Sequence, residues 1–336
     1  MQFYSKTILT LEMEWRENIK RSLDQIRQQN KESIHRIEEK KEKLDSKRPL
    51  PVSALQRIKE DLYIEWSYNS NSIEGNTLNL NETRMVLQEG MTVKGKSLKE
   101  HLEITNHHDA IEFVEKLAKD KSNFDEGDLL KIHELIMTKI EKDFAGRFRN
   151  GMVRIMGANF VPPNPIKLES FMKDYFDFVW QNPLDLNVIE MAAFMHHQFV
   201  WIHPFFDGNG RTVRLIMNLY LMQKGFPPAI ILKADRKKYY EALNQANNGN
   251  YDKLILLVIQ AIERSLDIYL MAYPDGYEYM PIIDIVEEES VPYGQEYISL
   301  LARQGKIDAY KEGKNWFTTK EAVTDYMGKR KRKRNL

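Results

Sequence analysis

The sequence of 336 residues contains no cysteine. That excludes disulfide staples, thiol nucleophiles and thiolate-ligated metal, and it accords with a reducing compartment. Net charge is missing as well, because 49 basic side chains balance 49 acidic ones. No global field draws the chain to nucleic acid or to a membrane, so any such contact has to come from a local patch. Long apolar runs are absent too. The longest, LILLVIQAI at 254–262, is interrupted by Gln260 and falls far short of the roughly 20 residues that span a bilayer. The N-terminus turns charged after a short apolar run, without the apolar core and small-residue cleavage site of a secretory leader. The expectation is a soluble, cytoplasmic protein with no membrane partner.

What is present is mostly helical periodicity. The length allows two or three domains. Residues 11–45 are dense in Glu, Lys, Arg and Gln, with apolar residues three and four apart, the pattern of a long, largely solvated helix. Pro49 and Pro51 break it. The next helical stretch ends at Glu74-Gly75-Asn76, a sequence suited to a helix C-terminus. Further helices are expected at about 81–90, 97–120, 126–141, 168–181, 186–202, 235–248 and 251–273. Residues 147–166 break the pattern. Their β-branched residues, glycines and closing Pro-Pro predict a short hairpin with a rigid exit. Residues 272–281 read as a linker, with two prolines, a glycine and several tyrosines. The expected fold is mainly α with a small β-hairpin flap, followed by a small α+β module. The expected division is a helical N-terminal region at 1–95, a core at 96–273 and a C-terminal module with a basic tail at 274–336.

The densest chemistry lies in HPFFDGNGRTVR, residues 203–214. Asp207-Gly208-Asn209-Gly210 is a turn that runs directly into a helix. The first amides of a helix have no internal partners and carry the positive end of its dipole. Glycines let an anion approach that backbone closely, so the turn is a phosphate cradle. Arg211 and Arg214 are three apart and share a helix face. Their guanidiniums suit phosphate oxygens, and two of them suggest more than one phosphate. Asp207 is placed to hold a Mg²⁺ that bridges phosphate oxygens. His203, with an ordinary pKa of about 6.5, is a proton acceptor at neutral pH.

This stretch resembles the signature of the Fic family, H-x-F-x-[DE]-G-N-G-R-x-x-R, at every fixed position. The resemblance extends over roughly residues 50–265. GANFVPPNP looks like the exit of the family's target-docking flap, and DRKKYYEALNQANNGN like its nucleotide-side helix. It implies a Fic-type helical core and transfer of AMP from ATP onto a Tyr, Thr or Ser hydroxyl of a protein. His203 would then be the base, Asp207 the Mg²⁺ ligand, and Asn209 with Gly208 and Gly210 the anion hole. Arg211 would anchor phosphate, Arg214 would hold the γ-phosphate, and Tyr240 and Asn247 would contact adenosine. Phe205 would be the buried aromatic that fixes the loop. Val153 and Ile155 would offer an edge to which a target segment adds as a strand.

Upstream, Ser70 to Asn76 match the family's inhibitory signature, [ST]-x-x-x-E-[GN], at the end of a helix spanning about 53–75. A carboxylate at a helix C-terminus faces the negative end of the dipole and needs a cationic partner. The resemblance implies that Glu74 pairs with Arg214, supported by Ser70, and so denies that arginine to ATP. Whether Glu74 also serves removal of AMP stays open.

Other features read more plainly. His196 and His203 are seven apart but lack a third metal ligand at a suitable spacing, so His196 and His197 read as packing residues. His107 and His108 read as a partly exposed helix surface. The C-terminal module, with an apolar helix, a strand–turn–strand around Lys311 to Lys314 and a basic run at 329–334, looks like a winged helix. That resemblance makes DNA a partner, with a protein-binding or dimerising role as the alternative. A homodimer is compatible with the resemblance, although no interface is legible. Two readings stand: an AMP-transferring enzyme with its own inhibitor helix, and a DNA-binding regulator whose nucleotide site senses ATP.

Overall fold

A computed structural model describes residues 23–47, 52–120, 122–155, 157–158, 160–273, 278–287 and 291–334, apart from the side chains of 52–55 and 331–334. The helices are α1 (Lys31–Ser46), α2 (Val52–Ile73), α3 (Leu80–Glu89), α4 (Leu98–Asp120), α5 (Glu126–Met137), α6 (Leu168–Gln181), α7 (Val188–Ile202), α8 (Asn209–Gln223), α9 (Arg236–Ala246) and α10 (Asp252–Leu270). The chain continues through β1 (Met280–Pro281), α11 (Ile282–Val286), α12 (Gln295–Arg303), β2 (Ala309–Glu312), β3 (Asn315–Thr318) and α13 (Lys320–Arg334). The fold is mainly α, as expected, with one small antiparallel sheet. None of the helices among the described residues is long and apolar enough to cross a membrane.

The described residues form two compact units: Leu23 with those of 60–258, and those of 24–59 with those of 259–334. The first is built around α8, which packs against α4, α5 and α7. Asn209 and every residue from Arg211 to Leu221 are buried, so α8 is enclosed on all sides rather than amphipathic. The surrounding helices start at well-defined points because their sequences carry reciprocal caps. Asn79 with Glu82, Asp125 with Asp128, and Asn187 with Glu190 each form a capping box, which satisfies two otherwise unpaired amides.

The second unit has its own apolar core of Ile282, Ile285, Ile298, Leu301, Ala302, Ile307, Ala309 and Val323. Its strands lie in the order β1-β3-β2, all antiparallel, with Pro281 opposite Phe317 and Tyr310 opposite Phe317. Glu312 pairs with Asn315 across a two-residue turn in which Gly313 has φ 57°. The strand–turn–strand thus lies where the sequence put it.

Three expectations need correction. The helix foreseen over 11–45 is interrupted at Asn30, whose amide nitrogen bonds back to the Ile26 carbonyl; its part at 11–22 lies outside the described residues. Beyond the break, α1 buries only Ser33, Ile37, Lys40 and Leu44, at the three- and four-residue spacing the sequence shows. The hairpin foreseen at 147–166 has no paired strands among the described residues. The Ala158 amide donates to the Ile155 carbonyl, closing a turn, and Pro162, Pro163 and Pro165 supply no amide donors for a ladder. Finally, His107 is fully buried, edge-on to Trp66, rather than on a surface.

The burial of Lys40 has a specific cause. Its ammonium lies 2.6 Å from Asp267, 2.6 Å from Asp308 and 3.2 Å from Glu263, and Arg36 bonds Glu263 at 2.7 Å. Burial alone would lower the Lys40 pKa, but the three carboxylates outweigh it and raise it. A buried charge cluster of this kind tolerates loss of one member poorly, because the partners stay buried and unmatched. Lys40→Met is expected to cost about 3–5 kcal/mol in urea unfolding. A loss below roughly 1 kcal/mol, the level of surface pairs, would mean that water reaches the cluster.

Candidate active site

The site forms where α7 ends and α8 begins. His203 caps α7 in the left-handed conformation (φ 50°), and its amide donates to the Phe199 carbonyl. Pro204 cannot extend the helix. The chain then turns, and Gly208, at φ 77°, caps the N-terminus of α8. A Cβ at Gly208 would press on Met137 Sδ, Ile136 Cδ1 and His133 Cδ2 at 3.1, 3.2 and 3.3 Å, so glycine is needed both for φ and for space.

The turn is locked from inside. Asn209 Oδ1 accepts from the Phe205 amide at 3.0 Å, and its Nδ2 donates to the Phe205 carbonyl at 2.8 Å. Phe205 is fully buried and stacked on His133, 3.6 Å between ring centroids. His133 accepts from the Gly146 amide at Nδ1, so Nε2 carries the proton donated to the Asp207 carbonyl. The Asn209 side chain therefore shapes the loop, and the amides of Asn209, Gly210 and Arg211 remain ahead of the first intrahelical bond, Thr212 N–H to the Gly208 carbonyl.

His203 is held in one tautomer. Its Nδ1 lies 3.3 Å from the Val200 carbonyl, so Nδ1 donates and Nε2 keeps its lone pair. Burial pushes its pKa down to about 4, helped by Arg149 and opposed by the Val200 bond, Glu74 and Asp207. The imidazole is neutral across physiological pH. Asp207 has one oxygen engaged by the Gly208 amide at 2.6 Å, and its side chain is 49% exposed. Burial works against its ionised form, yet Arg211 and the Gly208 amide hold its pKa below the usual carboxylate value. Among the described residues no group of three or more His, Asp or Glu side chains is arranged to hold a metal.

Both motif arginines are buried. Arg214 donates from Nε to Ser70 Oγ (3.0 Å), and from Nη2 to the Ser70 carbonyl (2.7 Å) and Glu74 Oε1 (2.8 Å). The expected Glu74–Arg214 pair is thus formed, and Ser70 is part of it. Burial would lower the Arg214 pKa, but Glu74 outweighs it and raises it. Arg211 Nη1 lies 3.5 Å from Glu103 Oε1, and its Nη2 donates to Asp207 Oδ1 at 3.4 Å. Arg211 Nε and Arg214 Nη1 make no hydrogen bond among the described residues. Glu74 also reaches the helix start itself: a Cβ added at Gly210 would collide with its Oε1. A carboxylate thus rests on the backbone where the sequence foresaw an anion.

The other foreseen residues are distributed unevenly. Tyr240 has the Arg236 guanidinium 4.9 Å from its ring centroid and feels the charges of Glu74 and Arg214. Asn247 is engaged by its own partner, with Oδ1 accepting from His197 Nε2 at 2.9 Å. His196 pairs with the Tyr239 hydroxyl at 2.8 Å, in keeping with its packing role. Val153 and Ile155 are half-buried in the irregular segment and form no strand edge.

Several residues at the site escaped sequence reasoning. Arg149 is fully buried and donates only to backbone carbonyls: His203 at 2.7 Å, Gly151 at 2.9 Å, Pro163 at 2.6 Å and Ile202 at 3.4 Å. Arg236 donates to the Ile73 carbonyl at 2.7 Å and so caps the helix that bears Glu74. Glu103 joins Arg211 to the Asn76 amide group, 2.9 Å away. Arg149 and Glu103 stand outside the quoted motifs, Arg236 lies within DRKKYYEALNQANNGN but was given no role there, and most of their partners are distant in sequence.

The chain is similar to known proteins. A sequence model of the Fic/DOC family matches residues 123–221. The chain is 38% identical over 282 residues to "Protein adenylyltransferase Fic" of Nematostella vectensis, covering 82% of this chain and 65% of that protein. It is 35% identical over 293 residues to the protein of the same name from Aedes aegypti, covering 84% of this chain and 57% of that one. The chain thus spans somewhat under two thirds of these relatives' length. Among solved structures, Fic-1 (residues 134–508) from C. elegans superposes with a TM-score of 0.65 at 32% identity, covering 72% of this chain and 72% of that one.

The buried histidines set the acid limit of the site. Burial lowers the pKa of His133, His197 and His203 to about 4 and of His196 to about 3. Unfolded, each would take a proton near pH 6.5. Between these values the unfolded state binds more protons, so stability falls as pH falls. The expected slope is up to about 1.4 kcal/mol per pH unit for each histidine. Urea unfolding at pH 7, 6 and 5 measures it. A flat profile over that range would show that these rings are hydrated.

Proposed function

The chain belongs to the Fic/DOC family, and from that premise we propose that it transfers AMP from ATP to hydroxyl side chains of proteins, itself included, under restraint by Glu74. The observation that carries this is the α7–α8 junction, where a neutral imidazole, a glycine-flanked helix start and two buried guanidiniums converge.

The step follows from these groups. A Tyr, Thr or Ser hydroxyl oxygen bonds to the α-phosphorus of ATP as the bond to the β-phosphate oxygen breaks. The hydroxyl proton passes to His203 Nε2, a transfer that contributes roughly 10²–10⁴-fold. Pyrophosphate departs with its charge met by the amides of α8 and by Arg211 and Arg214. Such transfers are accelerated chiefly by alignment and by fixed positive charge. Asp207 suits a Mg²⁺ ion, because its carboxylate is ionised and half exposed, and one carboxylate plus phosphates is a common Mg²⁺ set. When bound, that ion would neutralise phosphate charge. Val153 and Ile155 would meet the target through side-chain contact rather than strand addition. Tyr240 and Asn247 are assigned to the adenosine side.

Restraint by Glu74 is supported by its two contacts. Its carboxylate bonds Arg214 and lies against Gly210, so a γ-phosphate would meet an arginine already taken and a negative charge beside the cradle. A second reading concerns the C-terminal module. Its β1-β3-β2 order and the exposed Lys314 turn favour a winged helix that binds DNA, using the basic run at 329–334.

Labelled ATP separates the readings. Covalent AMP on protein is expected to rise roughly 10- to 100-fold in Glu74→Gly, the worth of one freed charge-assisted bond. His203→Ala in the same background is expected to abolish it. ATP binding without covalent transfer in Glu74→Gly would leave a nucleotide sensor instead. Binding of duplex DNA to the full chain, read by anisotropy, should weaken steeply with salt if the C-terminal module is the reader.

A further inference from the structure

The end of α7 poses an electrostatic problem. Three successive carbonyls, of Ile202, His203 and Pro204, lie at a helix terminus that is negative by its dipole. Pro204 supplies no amide there. Arg149 answers all three: its own amide donates to the Pro204 carbonyl at 2.9 Å, its Nε to the His203 carbonyl and its Nη2 to the Ile202 carbonyl. The remaining donors of the same guanidinium turn the other way. Nη1 donates to the Gly151 carbonyl and Nη2 to the Pro163 carbonyl, the two ends of the irregular segment that contains Val153 and Ile155.

We propose that Arg149 is a positioning residue that ties the base and the target-docking segment to one rigid fork. On one side it fixes the left-handed backbone from which the His203 ring projects. On the other it closes the loop 151–163, so the segment that presents the hydroxyl is measured from the same atoms as the group that accepts its proton. A guanidinium is required because its donors leave a single plane in fixed directions, which an ammonium cannot imitate. The inference rests on His203 being the base and on residues 151–163 lying at the target.

The test uses the full chain carrying Glu74→Gly, α-labelled ATP with Mg²⁺, and covalent label on the chain itself. Absence of label in that parent would sink the transferase reading before Arg149 is reached. With transfer in hand, Arg149→Lys keeps the charge but loses the fork. Its kcat should drop roughly 10²-fold, the usual effect of misplacing a reacting group by about 1 Å. Its KM for ATP should stay at the parent value, because Arg149 makes no contact with Arg211 or Arg214. Arg149→Met should lose kcat similarly and also move the acid limb of the pH–rate profile upward. Of the charges that act on His203, it removes the one cation while Glu74→Gly has already removed one carboxylate and Asp207 remains. In Arg149→Lys that limb should stay in place. Thermal unfolding of both variants checks the fold, and if Arg149→Met does not fold, the kcat-against-KM split in Arg149→Lys decides alone. Parent-like kcat in Arg149→Lys, or a fall in kcat matched by a loss of ATP binding, would overturn the proposal.

Discussion

Two guanidiniums are enclosed within the protein on a helix that is itself buried on every side. That constraint organises the site. A buried cation without partners is costly, so the fold around Arg211 and Arg214 has to deliver oxygen atoms to them. It does so from three directions: Ser70 from α2 and Glu74 just beyond its end, Glu103 from α4, and Asp207 from the loop that opens α8. The coverage is incomplete, with Arg211 Nε and Arg214 Nη1 lacking hydrogen bonds among the described residues. An arrangement that meets most but not all of this demand from its own carboxylates is one in which a polyphosphate has something to offer.

The helix ends carry the remainder of the design. α7 stops in a left-handed residue that is not glycine, and α8 starts from a left-handed residue that is. The first places a side chain where backbone geometry is disfavoured, which survives because Phe199, Val200 and Arg149 fix the residue on both its amide and its carbonyl sides. The second leaves the backbone bare where Met137, Ile136 and His133 crowd it. The same His133 supports the loop by stacking and by hydrogen bonding, so the aromatic floor and the turn above it are one object.

Much of this was legible in the sequence, and the boundary of legibility is physical. Most of the helices fell within a few residues of their expected positions because apolar periodicity and capping residues are local signals. The cluster at 203–214 and the pairing of Glu74 with Arg214 were accessible because the motif is long and its resemblance specific. The expected hairpin has no paired strands among the described residues because β-branched residues and glycines describe a permissive backbone, whereas three prolines and a buried arginine decided where its hydrogen bonds went. Arg149 carried no signal at all. Its side chain's partners are carbonyls, which every residue has, and they lie up to 54 positions away. The burial of Lys40 was not legible for a related reason: in a stretch crowded with charges, nothing distinguishes the one lysine whose counter-ions arrive from residues 263, 267 and 308.

The side-chain amide of Asn209 spends both of its ends on the Phe205 peptide, and Phe205 rests in turn on a stacked ring. A loop braced in this way has already surrendered its conformational entropy during folding, so an incoming anion is not taxed for ordering it. The carboxylate that lies against this backbone is braced as well, since Glu74 stands at the end of a folded helix and is present at a fixed, high effective concentration. Exchange of that carboxylate for an anion on the same rigid seat would need no melting or refolding of the chain that hosts it.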